Sequence, residues 1–263
     1  MLCRDVMEVI ERSYPPSCAM EWDNVGLLVG SREKEVNRIY VALDATDEVI
    51  EAAVEFHADM LVTHHPMIFS AMRRITEDDF IGKRVIRLIQ KDIAYYAMHT
   101  NYDVMGMAKL SEQVLGLKDG QVLEVTCPES PIDGTPQGIG RVADLEEPVS
   151  LAECCEQVKQ RFSLDTVKVF GNLEALMKRI AISPGAGKSM VKAALHMQAD
   201  VLITGDIDHH TGIDAVAQGL AVIDAGHYGI EQIFIRDMAE FLKKAFPDAE
   251  VMEAPVCHPF QVV

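Results

Sequence analysis

Residues 38–65, "RIYVALDATDEVIEAAVEFHADMLVTHH", lie without a gap on residues 179–206, "RIAISPGAGKSMVKAALHMQADVLITGD", at an offset of 141 residues. Nine of the 28 paired positions are identical, and most apolar positions are shared. No other feature limits the fold as strongly. Each copy reads as a strand, an amphipathic helix and a second strand, and two copies of one unit imply a duplicated architecture. The match resumes, with one inserted residue, between "IAYYAMHTNYD" (93–103) and "LAVIDAGHYGIE" (220–231). Near-continuous apolar strands alternating with helices predict α/β lobes with mostly parallel sheets covered on both faces. The repeat predicts an N-terminal lobe over 1–118 and a C-terminal lobe over 119–263.

The remaining elements follow from local patterns. "MLCRDVMEVIERSYPP" predicts an amphipathic helix using Val6, Val9 and Ile10, stopped by Pro15 and Pro16. Thr46 is placed to cap a helix with Val49, Ala52, Ala53 and Phe56 on one face. Ser150 and Glu153 have capping-box spacing ahead of "LAECCEQVKQRF". "GQVLEVTC" and "GIGRVADL" read as strands, "YGIEQIFIRDMAEFLKKAF" as one long last helix, and "VMEAP" as a last strand.

The repeat also bears on chemistry. Parallel α/β sheets bind ligands at the carboxyl ends of their strands. His64, His65, His99, Asp103, His227 and Glu231 all fall just past predicted strand ends. Each half carries a His-x-x-x-acid pair, His99 with Asp103 and His227 with Glu231, a spacing that puts both side chains on one helical face. His64 and His65 are adjacent, so a regular strand would point them apart. Once the backbone leaves β geometry before Pro66, each can serve a different ion. Imidazole with carboxylate suits zinc, iron, manganese or nickel. Two histidines per side with a shared carboxylate suit a pair of ions roughly 3.5–4 Å apart, a device for hydrolysis. His57, His196 and His258 read as merely polar.

"EWDNVGLLVG", "LVTHHPMIF", "HTNYD", "GIGRVADL", "ADVLITGD" and "IDAGHYGIE" together resemble blocks of the Nif-three-like dinuclear metal centre family, the GTP cyclohydrolase I type 2 homologues, in family order. The resemblance implies paired α/β lobes assembled as a toroidal homohexamer, in the compact form without the family's inserted domain. It implies two divalent metal ions per subunit, with His64 and His65 as one ligand to each ion. It implies Asp103 and His227 as further ligands and Glu231 as the carboxylate touching both. It puts His99 close to the centre without being a ligand, as a positioning group or proton shuttle; the catalytic candidates are Glu231 and His99.

Other features receive plainer readings. "SPGAGKS" (183–189) resembles a phosphate loop, but Ile182 stands where that pattern needs its first Gly, so it reads as a strand-to-helix turn. Trp22, Asp23 and Asn24 read as a turn and, through the resemblance, as a wall of the cleft that contacts substrate. His209 and His210 could line the same cleft, with Asp208 as a helix cap. No two of the six cysteines form a CxxC pair, so reduced, mostly buried thiols are expected. The net charge of -17 argues against a nucleic-acid surface. No apolar run approaches the roughly 18 residues of a membrane helix, and cytoplasmic residence is expected. The functional expectation is a metal-dependent hydrolase acting on a nucleotide or phosphorylated small molecule. The alternative is a non-catalytic metal-binding hexameric scaffold or regulatory protein.

Overall fold

In the computed structural model, residues 1–261 and 263 are described. The strands in chain order are β1 (Gly26–Val29), β2 (Arg38–Ala42), β3 (Met60–Thr63), β4 (Ala94–Ala97) and β5 (Gln121–Cys127). They continue as β6 (Gln137–Ser150), β7 (Lys168–Phe170), β8 (Leu176–Ala186), β9 (Val201–Gly205), β10 (Ala221–Asp224) and β11 (Glu250–Glu253). The chain divides into two compact units, Met1–Tyr102 with Phe234–Cys257, and Asp103–Ile233 with His258–Val263.

Among the described residues the first unit carries one sheet, ordered β1-β4-β3-β2-β11. Strands β4, β3, β2 and β11 are parallel, and β1 runs antiparallel on the β4 edge. The second unit carries a sheet ordered β5-β6-β8-β9-β10-β7. Here β8, β9 and β10 are parallel, β7 runs antiparallel on the β10 edge, and β6 and β5 continue the sheet antiparallel. The architecture is therefore mixed α/β, two sheets each built on a parallel core. Each core has a crossover topology that needs a helix between strands, and an antiparallel strand lies on the β4 edge of one and the β10 edge of the other.

The predicted repeat is present in the hydrogen bonding. Ile39 pairs with Met60 in one sheet and Ile180 with Val201 in the other, residues that correspond in the repeat. The identical Asp of each copy explains itself here. Asp59 accepts from the Asn37 and Arg38 amides at 2.8 and 2.9 Å. Asp200 accepts from the Lys178 and Arg179 amides at 2.8 and 2.7 Å. The identical arginines also act alike: Arg38 donates to the Phe56 carbonyl and Arg179 to the Met197 carbonyl. His57 and Gln198, corresponding residues, both take left-handed backbone, φ 57° and 56°, where each helix turns into its strand. These pairings tie the start of one strand to the loop entering the next.

Packing explains the apolar strands. In the second unit Ile180, Ile182, Val201, Ile203 and Ile223 face one core, and Ala181, Leu202 and Val222 face another. Both faces are covered, so alternation disappears. Each such side chain taken from water stabilises by about 1.5–3 kcal/mol before entropy is counted.

Several elements differ in detail from the reading above. The first helix, Cys3–Ser13, buries Cys3, Val6, Met7 and Ile10, with Val9 only half-buried. Helix Asp47–Glu55 is capped by the Thr46 hydroxyl as expected, but its fully buried residues are Ile50 and Ala53. The capping box of Ser150 and Glu153 starts helix Leu151–Phe162. The last helix is two, His227–Glu231 and Ile233–Ala245, broken at Gln232. The units are also divided differently from 1–118 and 119–263. Strand β11 pairs with β2, and Asp237 of the last helix accepts from the Tyr102 hydroxyl at 2.6 Å, which ties residues 234–257 to the first unit.

Candidate metal centre

Strand β3 ends at Thr63, and the chain bends sharply there. The His65 amide donates to the Leu43 carbonyl at 3.0 Å, at the end of the neighbouring strand. The His65 carbonyl accepts from the Thr63 and Tyr95 hydroxyls at 2.9 and 3.0 Å. Burial pushes the Tyr95 hydroxyl up to about 12, so it remains a neutral donor. This bend answers the difficulty of adjacent histidines. The His64 and His65 rings lie 4.8 Å apart, and His99, just past β4, lies 5.4 and 5.5 Å from them. One ligand atom from each of the three falls within 4.8 Å of the others.

Each of these imidazoles is held through Nδ1. His64 Nδ1 lies 2.9 Å from the Met98 carbonyl oxygen. His65 Nδ1 lies 2.8 Å from Asp44 Oδ1, and His99 Nδ1 lies 2.9 Å from Asp23 Oδ1. A carbonyl and ionised carboxylates only accept, so Nδ1 carries the proton in all three, which leaves each Nε2 with a lone pair. Asp23 is itself buried. Burial alone would raise its pKa, but hydrogen bonds from His99 and Thr100 prevail and hold it down to about 2.

The second unit holds a similar arrangement of its own. Helix His227–Glu231 follows β10 after Gly226, whose φ of 74° turns the chain into it. His227 Nδ1 lies 2.8 Å from Asp206 Oδ2, and its Nε2 lies 3.0 Å from Glu231 Oε2. Burial opposes charge on His227, yet the Glu231 and Asp206 carboxylates raise its pKa to about 9. A divalent cation held between this imidazole nitrogen and the buried carboxylate would displace the proton the two share. Glu231 is only 3 % exposed and His64 is fully buried. Buried polar and ionisable groups of this kind are paired or bind metal. Asp103 opens a π-helical turn, Asp103–Met107, a local widening frequent at functional sites.

The donor set therefore fits divalent metal by its chemistry: oriented imidazole nitrogens, buried carboxylates, and a carboxylate or carbonyl behind each imidazole. Two of those supporting groups, Asp44 and the Met98 carbonyl, went unread in the sequence. A strand-end Asp 21 residues away in sequence from its histidine carries no local signal, and a backbone carbonyl carries none at all. The Gly-rich turn acquires a role as well. Residues 183–186 extend strand β8, followed by a single 3₁₀ turn, Gly187–Met190. Gly185 has φ 79°, and a Cβ there would lie 2.6 Å from Glu231 Oε1, so the turn is where backbone approaches the carboxylate.

The remaining candidates are placed as follows. Asn24 Nδ2 donates to the Ile68 carbonyl at 2.6 Å, and Trp22 lies 6.0 Å from His99, ring to ring. His209 and His210 are exposed at the start of helix His209–Ala217, which Asp208 caps through the Thr211 amide. Among the described residues neither joins a cluster of three donors. No described helix is long and apolar enough to cross a membrane.

Known proteins are similar to this chain in sequence and fold. The Duf34/NIF3 (NGG1p interacting factor 3) family model matches residues 1–258. A Streptococcus pneumoniae protein named GTP cyclohydrolase 1 type 2 homolog is 36% identical over 250 residues, 93% of this chain and 91% of that protein. A Clostridium perfringens protein of the same name is 35% identical over 246 residues, 93% of this chain and 92% of that one. The crystal structure of the Staphylococcus aureus hypothetical protein SA1388 superposes with a TM-score of 0.90 at 28% identity, covering 100% of this chain and 99% of that chain.

Proposed function

This chain belongs to the Duf34/NIF3 family, and on that premise we propose that it holds two divalent ions and hydrolyses a nucleotide or other phosphorylated small molecule. The ligands in this reading are His64, His65, Asp103, His227 and Glu231. The observation that supports it best is the uniform orientation of His64, His65 and His227, each held through Nδ1 by an acceptor. Bound divalent ions would supply positive charge at phosphoryl oxygens and acidity toward water. The protein's own part is positional. Asp44 and Asp206 fix two of the imidazoles, and Glu231 offers a carboxylate whose surroundings exclude water. His99, backed by Asp23, is a proton carrier beside the centre. The names of the relatives support a GTP cyclohydrolase-type assignment, and a toroidal homohexamer is the assembly we infer.

Elemental analysis of the purified protein, combined with a panel of nucleotides and phosphoesters, tests this reading. Two ions per chain and turnover abolished by Glu231→Ala, in a protein of unchanged size by light scattering, are the expected results. Metal without any turnover would favour the non-catalytic scaffold. Absence of bound metal would sink both.

A further inference from the structure

The chain's only tryptophan is Trp22, and it is 59% exposed. Phe69 is 55% exposed, and the two rings lie 5.8 Å apart. Tyr95, Tyr96 and Tyr102 of the same unit are fully buried, whereas Trp22 and Phe69, like Phe80 at 63%, are left in water. Large apolar rings left in water cost free energy unless something covers them.

Their backbone is pinned. Asp23 accepts from the Thr100 amide at 2.9 Å, and the Met20 amide donates to the Thr100 hydroxyl at 2.8 Å, which fixes the turn carrying Trp22. Asn24 holds the Ile68 carbonyl, and the Met67 amide donates to the Tyr95 hydroxyl at 2.8 Å, which fixes the chain just before Phe69. The rings then form a row. Phe69 is 5.8 Å from Trp22, Trp22 is 6.0 Å from His99, and His99 is 5.4 Å from His64. One end faces solvent and the other is the histidine cluster. Farther along the Phe69 loop, Arg73 and Arg74 are exposed and take no carboxylate partner among the described residues, on a chain of net charge -17.

We propose that Trp22 and Phe69 form a stacking wall that holds a planar aromatic ring of the substrate beside His99, with Arg73 and Arg74 drawing in an anionic group on the same molecule. The proposal rests on the metal-site reading for what happens to the bound molecule, but not for the binding itself. Ring stacking on aromatic side chains is tolerant of ring identity and supplies affinity without needing base-specific hydrogen bonds.

Because Trp22 is the only tryptophan, its emission reports on this wall alone. Metal-loaded and chelated protein are titrated with guanosine and adenosine 5′-monophosphates, with guanosine, and with ribose 5-phosphate, correcting for absorbance. Saturable quenching by the ring-bearing probes, and none by ribose 5-phosphate, is expected. Phe69→Ala should weaken binding roughly 10-fold, within the range for loss of one stacking contact, and Phe69→Tyr should retain it. Arg73→Gln with Arg74→Gln should weaken the monophosphates but leave guanosine unchanged. Quenching that survives chelation supports the wall even where the metal reading fails. Metal-loaded protein whose emission no ring compound alters overturns the wall alone. Emission that shifts on dilution without any probe assigns the pair to an interface between copies of the chain, and also overturns the proposal.

Discussion

At the scale of single residues, the carboxylates behind the histidines carry the sharpest consequences. Asp44→Ala should leave the fold intact while lowering metal affinity about 10–100-fold, because His65 loses the acceptor that fixes its tautomer. Competition with a metallochromic chelator reads this directly, and an unchanged affinity would remove Asp44 from the site. Asp23 makes a different prediction. Its pKa is held at about 2, below the ordinary 3.8, so its contribution is complete above about pH 4 and vanishes as pH falls through about 2. Asp23→Asn should therefore cost about 2 kcal/mol at pH 7 and nearly nothing at pH 2. Urea unfolding across that window checks the sign. The sequence exposed Asp23 because it sits beside the only tryptophan, whereas Asp44 needed the fold to be seen.

Among the elements, the duplicated Asp staple is the feature most fully legible in the sequence. Identity at Arg38/Arg179 and Asp59/Asp200 survived because each pair closes the same strand-to-strand loop. We expect Asp59→Ala and Asp200→Ala each to destabilise by about 1–3 kcal/mol, the cost of leaving two backbone amides without their acceptor. Hydrogen exchange should show the Arg38 amide opening in the first variant and the Arg179 amide in the second; protection unchanged in either would refute the shared role. The helices were less legible. Periodicity located Asp47–Glu55 but rotated its buried face, because Val49 and Ala52 lie at the edge of the packed surface. The break at Gln232 was hidden for the opposite reason. Apolar periodicity runs straight through it, and Gln232 itself keeps right-handed helical backbone with its amide donating to the Tyr228 carbonyl at 3.0 Å.

At the scale of the whole molecule, the repeat revealed two sheets but not how the chain shares itself between units. A returning terminal helix and strand leave no mark on composition, since β11 looks like any short edge strand until it pairs with β2. Saturating divalent metal should raise the unfolding midpoint of the protein. At 100 times the dissociation constant the gain is about 2.7 kcal/mol. Calorimetry with and without chelator measures it, and an unchanged midpoint would count against the metal reading. One glycine shows how far the copies have parted. Gly205 stands where the first half has His64, and a Cβ there would come within 2.5 Å of the His227 amide nitrogen. The helix bearing His227 and Glu231 has moved into the space a histidine at 205 would need. Ancestral symmetry is therefore not recoverable by reverting that position. Gly205→His would have to dislodge the helix first, so the divergence of the two copies works as a ratchet.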